Sequence, residues 1–305
     1  MLVAPPGAAV QLRRLVRAHE RERPVRVLGP REPSALAEAL VGASGVLVVG
    51  DRRRAPRGAL PGPVLHDAEG RPVPAGWLPD VRPLLGGFAA AAARVLRRGV
   101  AQPGPLALLS QWQPRYLRLA ARMDARLATA GGPPFPLLRW TSERITRDDL
   151  ASGLRSGLGL AIYFGHGRPS GWAGYHGLRA HHLVGQPGEP LGAMLSVTCL
   201  TASRWRVGLS FSEAVTLGGA AAGAVGAVAE VGHLTSMRWM LGLADALCEG
   251  ETRLGPALVR ALPPDPAAAH PYRILGDPLA PLIGTPLGAD RAARVPAPAA
   301  EHAWT

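Results

Sequence analysis

Two side chains in this sequence can do covalent chemistry in concert, and each follows a run of large apolar residues. His166 lies in Leu160-Ala-Ile-Tyr-Phe-Gly-His-Gly-Arg-Pro-Ser-Gly-Trp172, and Cys199 ends Ala193-Met-Leu-Ser-Val-Thr-Cys199, 33 residues further on. A thiol beside an imidazole is a nucleophile with its own acid-base partner, because the thiolate is the reactive form and the ring takes and returns the proton. Such a pair suits attack on an acyl carbon, with His166 protonating the departing amine. The N–H groups of Gly167 and Cys199 are candidate donors to the resulting oxyanion. Gly165 and Gly167 are read as letting the backbone bend and approach a substrate closely.

That chemistry requires two neighbouring strands to end at the same place. In an open parallel sheet the carboxyl ends of the strands gather reactants and ligands. The apolar runs Leu158 to Phe164 and Ala193 to Cys199 read as buried strands, as do Leu106 to Ser110 and Phe135 to Trp140. Between them, Pro114 opens a helix with Tyr116, Ala120, Met123 and Leu127 on one face, stopped by Gly131-Gly132. Thr146-Arg-Asp-Asp149 resembles a cap for a short helix carrying Leu150 and Leu154, and Ser210 or Ser212 caps another through Leu217. Ala220 to Val231 reads as a glycine-interrupted strand, followed by helices at Thr235 to Glu249 and Thr252 to Leu262 and by Tyr272 to Leu279. Upstream, Arg23 to Gly29 and Gly45 to Asp51 read as strands around a helix at Pro33 to Leu40. Arg52 to Pro83 reads as long loops, and Leu84 to Arg98 as an alanine-rich helix. The alternation predicts an α/β protein with a mostly parallel sheet covered on both faces.

Composition narrows the classes. With 305 residues and 47% hydrophobic content the chain can bury a sizeable core. The net charge of +12 comes entirely from arginine; lysine and asparagine are absent, and the arginines are scattered rather than gathered into one block. A solvated basic surface is favoured over a nucleic-acid footprint, and neither nucleic acid nor membrane is an expected partner. Two cysteines, Cys199 and Cys248, permit neither a disulfide framework nor a cysteine-rich zinc site. Met1 to Arg17 does not read as a secretion signal, which makes a cytoplasmic location the expectation.

The motifs "YFGHGRPSGW" and "LSVTCLTA" resemble the two strand ends of clan CD cysteine peptidases, most closely the gingipain-type family C25. "FSEAVTLGGAAAGAVGAVAEV" resembles that family's short acidic helix and Ala/Gly-rich strand, and "YRILGDPLAPL" its closing Gly-Asp-Pro element. "VLVVGD" and "VLHDAEGRPVPAGWLPD" are similar to its smaller N-terminal subdomain. The resemblance implies a caspase-like three-layer sandwich at 102–287 and a smaller α/β subdomain at 1–101, while the Pro/Ala-rich composition of 288–305 reads as a disordered tail. It implies a cysteine endopeptidase with His166 as catalytic histidine and Cys199 as nucleophile, no cofactor, a protein or peptide substrate, and activation by a partner or by self-cleavage. The alternative is an inactive caspase-like scaffold serving protein interaction.

Other readings fall away on order and composition. A papain-type triad needs an asparagine, which the chain lacks, and places its cysteine before its histidine. Caspases set the histidine about 50 residues upstream of a Gln-Ala-Cys signature that is missing here. Trp172, Glu230 and His233 are the candidate pocket residues; Glu230 there would favour a basic side chain on the substrate, with a surface or cap role as the alternative. His176, His181 and His182, with only Glu189 as a carboxylate nearby, are read as loop residues rather than metal ligands. Asp277 is read as a turn residue and Cys248 as a packed thiol.

Overall fold

A computed structural model gives the fold and describes residues 1–50, 62–101, 104–129, 136–262 and 271–282. The chain runs β1 (Leu2–Val3), α1 (Pro6–Glu20), β2 (Val27–Leu28), α2 (Pro33–Leu40), β3 (Val46–Gly50), β4 (Val64–His66), β5 (Pro72–Pro79) and α3 (Arg82–Ala101). It continues with β6 (Leu106–Ser110), α4 (Pro114–Thr129), β7 (Leu137–Thr141), α5 (Arg147–Leu154) and β8 (Leu160–Phe164). A small hairpin of β9 (Gly167–Arg168) and β10 (Gly171–Trp172) follows, then a single turn, α6 (Gly174–Gly177). The remainder is β11 (Leu191–Val197), α7 (Phe211–Leu217), β12 (Ala221–Ala227), α8 (His233–Cys248), α9 (Leu254–Arg260) and β13 (Tyr272–Gly276). The tail expected at 288–305 lies outside the described residues.

One sheet runs through the molecule in the order β2-β1-β3-β5-β13-β12-β11-β8-β6-β7, with β4 added against β5. Neighbours pair in parallel except at β12/β13 and β4/β5. The mostly parallel, helix-covered arrangement expected from the sequence is therefore present. It has two blocks of parallel strands pointing in opposite directions, joined where β13 lies antiparallel to β12. The strands are apolar along their whole length because helices cover both faces. Leu160, Ile162 and Phe164 of β8 enter one core, and Ala161 and Tyr163 enter the other.

Two expectations need correction. Arg52 to Pro83 holds β4 and β5, and β5 is an interior strand of the sheet. Its sequence, Pro72-Val-Pro-Ala-Gly-Trp-Leu-Pro79, carries prolines that ordinarily argue against an interior strand. They sit toward its ends, however, and Ala75 to Leu78 supply the central pairing with β3, and Gly76 and Trp77 that with β13. A side chain at Gly76 would meet the Gly276 carbonyl oxygen at 2.1 Å, so only glycine admits β13 there. The second correction is α1, which begins at Pro6 with proline's preset φ and buries Ala8, Leu12, Leu15 and Ala18. Asp277, the predicted turn residue, accepts the Leu279 N–H at 2.9 Å and is buried against His19 Nε2 at 3.0 Å.

Candidate functional site

Four parallel strands finish in register at one edge. Ser110 of β6 lies opposite Phe164 of β8, Phe164 lies opposite Val197 of β11, and Leu195 lies opposite Val225 of β12. His166 follows Phe164 by two residues and Cys199 follows Val197 by two. Phe164 and Val197 both face the core covered by α4 and α8. Alternation along a strand carries the next side chain of the same parity to the same face, so ring and sulfur emerge together on the α4/α8 side.

The contacts agree with that placement. Tyr116 of α4, fully buried, presents its ring edge-on to His166 at 5.3 Å between centroids and to His233 of α8 at 5.5 Å. The Val231 N–H, two residues before His233, donates to Cys199 Sγ at 3.5 Å. Cys199 is half-buried and His166 exposed. Leu200, next to the sulfur-bearing residue, has φ of +65°, a left-handed turn that leucine adopts only under constraint.

The glycines around His166 make room for the protein's own atoms. A side chain at Gly165 would meet the Tyr163 hydroxyl oxygen at 2.1 Å, and one at Gly167 would meet the Cys199 carbonyl oxygen at 2.5 Å and Thr198 Oγ1 at 2.6 Å. The Tyr163 hydroxyl donates to the His166 carbonyl at 3.2 Å and accepts the Gly174 N–H at 3.0 Å. The His166 N–H donates to Gln111 Oε1 at 2.8 Å. Gly167→Ala is expected to push the two strand ends apart by a fraction of an ångström to an ångström and to lower kcat/KM by about 100-fold. Steady-state kinetics set beside a urea melt would separate that loss from a loss of fold.

The segment after Cys199 is tethered from below. Arg204 donates to both carboxylate oxygens of Glu213 at 2.7 to 2.9 Å, and both side chains are buried. Glu213 also accepts the Ser210 N–H at 2.8 Å while Ser210 Oγ accepts the Glu213 N–H at 3.3 Å, a capping box at the start of α7. The Arg204 guanidinium lies 5.3 Å from the centre of the Trp77 ring, which ties the loop to β5.

Some site residues were not visible from sequence. Gln111, Arg115 and Tyr116 come from the end of β6 and the start of α4, and Arg115 donates to His166 Nε2. The signal available was position: β6 is a strand whose end shares the edge with β8. Among the candidate pocket residues, His233 stands beside Tyr116, and Glu230 is exposed next to Val231. Trp172 is a correction. It is fully buried, stacks on Tyr163 at 4.3 Å and donates from Nε1 to Ser196 Oγ at 2.8 Å, on the opposite face of the sheet from His166. His176 is exposed, the His182 ring accepts the Arg179 N–H, and Glu189 pairs with Arg98.

Comparison with known proteins bears on this edge directly. The profile of peptidase family C25 matches residues 129–283, which include both strand ends and the closing β13. The chain belongs to peptidase family C25. It is thus a cysteine-type peptidase by family, in agreement with the motifs around His166 and Cys199. Among solved structures, the Arg-specific cysteine proteinase gingipain R is similar with a TM-score of 0.69 and 13% identity, over 92% of this chain and 78% of that one. The complex of the pro- and mature domains of Porphyromonas gingivalis RgpB gives a TM-score of 0.66 and 15% identity, over 93% and 79%. A Saccharomyces cerevisiae separase–securin complex gives 0.51 and 12%, over 76% of this chain and 16% of that one. At these identities the likeness is one of fold. No curated protein sequence matches the C25 chain closely. Among the described residues no helix is long and apolar enough to cross a membrane.

Proposed function

We propose that the chain is a cysteine endopeptidase working through His166 and Cys199. The reading is carried by one observation: both residues stand two positions beyond a registered pair, Phe164 and Val197, on the same face of adjacent parallel strands. Cys199 Sγ attacks the peptide carbonyl carbon while its proton passes to His166, and the tetrahedral oxyanion is received by the N–H groups of Gly167 and Cys199. The C–N bond then breaks, His166 gives the proton to the leaving amine, and a thioester remains. Water attacks that thioester, the C–S bond breaks, and the thiol is restored. Polar residues behind the ring fix its position: Gln111 and Tyr163 hold the His166 backbone on either side. In cells the protein is proposed to act in the cytoplasm on a protein or peptide substrate.

Titration of the site gives a test. Partial desolvation of the ring first, and then the positive charge of Arg115 and the neighbouring His233, hold the His166 imidazole below the ordinary histidine range, although the residue as a whole is exposed. The neutral ring is the form that accepts the thiol proton, so a lowered pKa preserves that form to lower pH. The acid limb of kcat/KM is expected below about pH 6.5, the ordinary value for histidine. A peptide library would supply a cleavable sequence and a pH-rate profile on it the midpoint. A limb clearly above that value contradicts the assignment of His166 as base.

A further inference from the structure

Helices α1 and α3 pack against each other in the larger core and carry almost no negative charge. The 15 residues of α1 include one carboxylate, Glu20, and the 20 residues of α3 include none. Between the two helices runs a groove of about 630 Å³, continued toward the start of α1 by a further 440 Å³. Arg14 and Arg17 of α1, Arg21 at its C-terminal cap, and Arg94 and Arg97 of α3 line the larger part, and all five are exposed. Arg94 approaches Glu189 at 3.9 Å. Among the described residues the other four make no ion pair, and no carboxylate lines either part of the groove.

Two features of this groove work against the stability of the isolated chain. Guanidinium groups three and four residues apart on one helix face repel each other, as Arg14, Arg17 and Arg21 do along α1, and nothing anionic in the chain stands between them. Gly87 lies inside α3, where glycine is less favourable than alanine, yet a side chain on it would meet nothing within 4 Å. Packing therefore does not require that glycine. What its bare backbone keeps is open space between the arginines, over a floor continued by Ala90, Ala91 and Gly219. A ligand that brings negative charge and its own main chain into that space answers both features, because Arg suits forked recognition of a carboxylate and a floor of small residues admits a close backbone.

We propose that the groove between α1 and α3 receives an extended segment of a protein partner, rich in Asp and Glu, whose carboxylates pair with Arg14, Arg17, Arg21 and Arg97. From Val10 to Arg21 the groove follows α1 for about 16 Å, the length of about five residues of extended chain. No aromatic side chain lines it among the described residues, so the bases of a single-stranded nucleic acid would find no stacking platform. Its concave shape holds the arginines away from a flat lipid surface, and the Gln11 amide beside Gly86 supplies a partner for a peptide main chain. The turn Gly218-Gly219 leads from α7 into β12 and closes one end, which sets the groove at the amino ends of the strands, the edge opposite Cys199. The inference is thus independent of the His166/Cys199 reading.

The test is binding of fluorescein-labelled hexaglutamate and hexaglutamine to the full chain carrying Cys199→Ala, read by fluorescence anisotropy, so that no catalysis is required. Hexaglutamate is expected to bind at least about tenfold more tightly than hexaglutamine at low salt, with the advantage shrinking as salt screens the charges. Adding Arg17→Glu and Arg97→Glu together is expected to abolish that advantage. Gly87→Glu is expected to weaken hexaglutamate by at least about tenfold while leaving the thermal midpoint unchanged or higher, because its side chain has room and sets a carboxylate among the arginines. That variant separates an occupied groove from a damaged fold. Equal binding of the two peptides overturns the proposal. So does acid-selective binding that survives both the double reversal and Gly87→Glu, which would place the peptide elsewhere. Tighter binding of hexathymidylate or of a linear polyphosphate than of hexaglutamate, or sedimentation with vesicles of phosphatidylserine and phosphatidylcholine in equal parts that is lost on the double reversal, assigns the groove to phosphate and overturns the peptide assignment. None of these results bears on hydrolysis, which is measured on the chain that keeps Cys199.

Discussion

Cys199→Ala is expected to lower kcat/KM on a cleavable peptide by about four orders of magnitude or more, leaving only what binding and the oxyanion donors supply. The sulfur is the attacking atom in the proposed cycle, and a methyl group offers neither a nucleophile nor an acyl acceptor. His166→Ala alone is expected to cost less, about 100-fold to 10,000-fold, because the thiol keeps its nucleophilicity while losing the group that moves its proton. The double variant is expected to be no worse than Cys199→Ala, since residues that act as one unit do not add. Stability should barely change in either single variant: Cys199 is half-buried and His166 is exposed. Steady-state kinetics and a urea transition on the same preparations check both statements. Activity retained in Cys199→Ala, or losses that multiply in the double variant, contradicts the shared cycle.

The second large effect is on the fold. Glu213→Ala is expected to destabilise the protein by about 3–5 kcal/mol, because it strands the Arg204 guanidinium without its carboxylate inside the protein. The same substitution removes half of the capping box at α7, so the loop from Cys199 to Ser210 loses its anchor together with its charge partner. Against a typical total of about 5–15 kcal/mol this is a large fraction. Replacing both partners, Arg204→Met with Glu213→Leu, is expected to recover most of the loss, since both charges then leave the buried site together. Urea denaturation midpoints of the three proteins measure it. A double variant as unstable as Glu213→Ala would show that the pair contributes through its attraction or its hydrogen bonds.

How far the sequence carries the argument depends on the element. The strands that deliver His166 and Cys199 are legible because each is a continuous apolar run broken at a polar residue, and their helices because Thr146 and Ser210 cap them as expected. β5 is not legible: its prolines and glycine give loop chemistry, and only the approach of the Gly276 carbonyl explains why a glycine belongs in an interior strand. Trp172 was misplaced because sequence proximity to His166 says nothing about which face of the sheet a hairpin folds over. Arg115 and Gln111 were missed for a related reason. They belong to the start of α4 and the end of β6, 51 and 55 residues away along the chain, and reach His166 only through the register of β6 with β8.

The measurement closest to the central claim is covalent labelling by a peptide acyloxymethyl ketone, followed by mapping of the modified residue by mass spectrometry. The account predicts one peptide adduct per chain, on Cys199 and not on Cys248, with a rate that falls at least about tenfold in His166→Ala. Equal modification of both cysteines, or a Cys199 rate indifferent to the loss of His166, contradicts it.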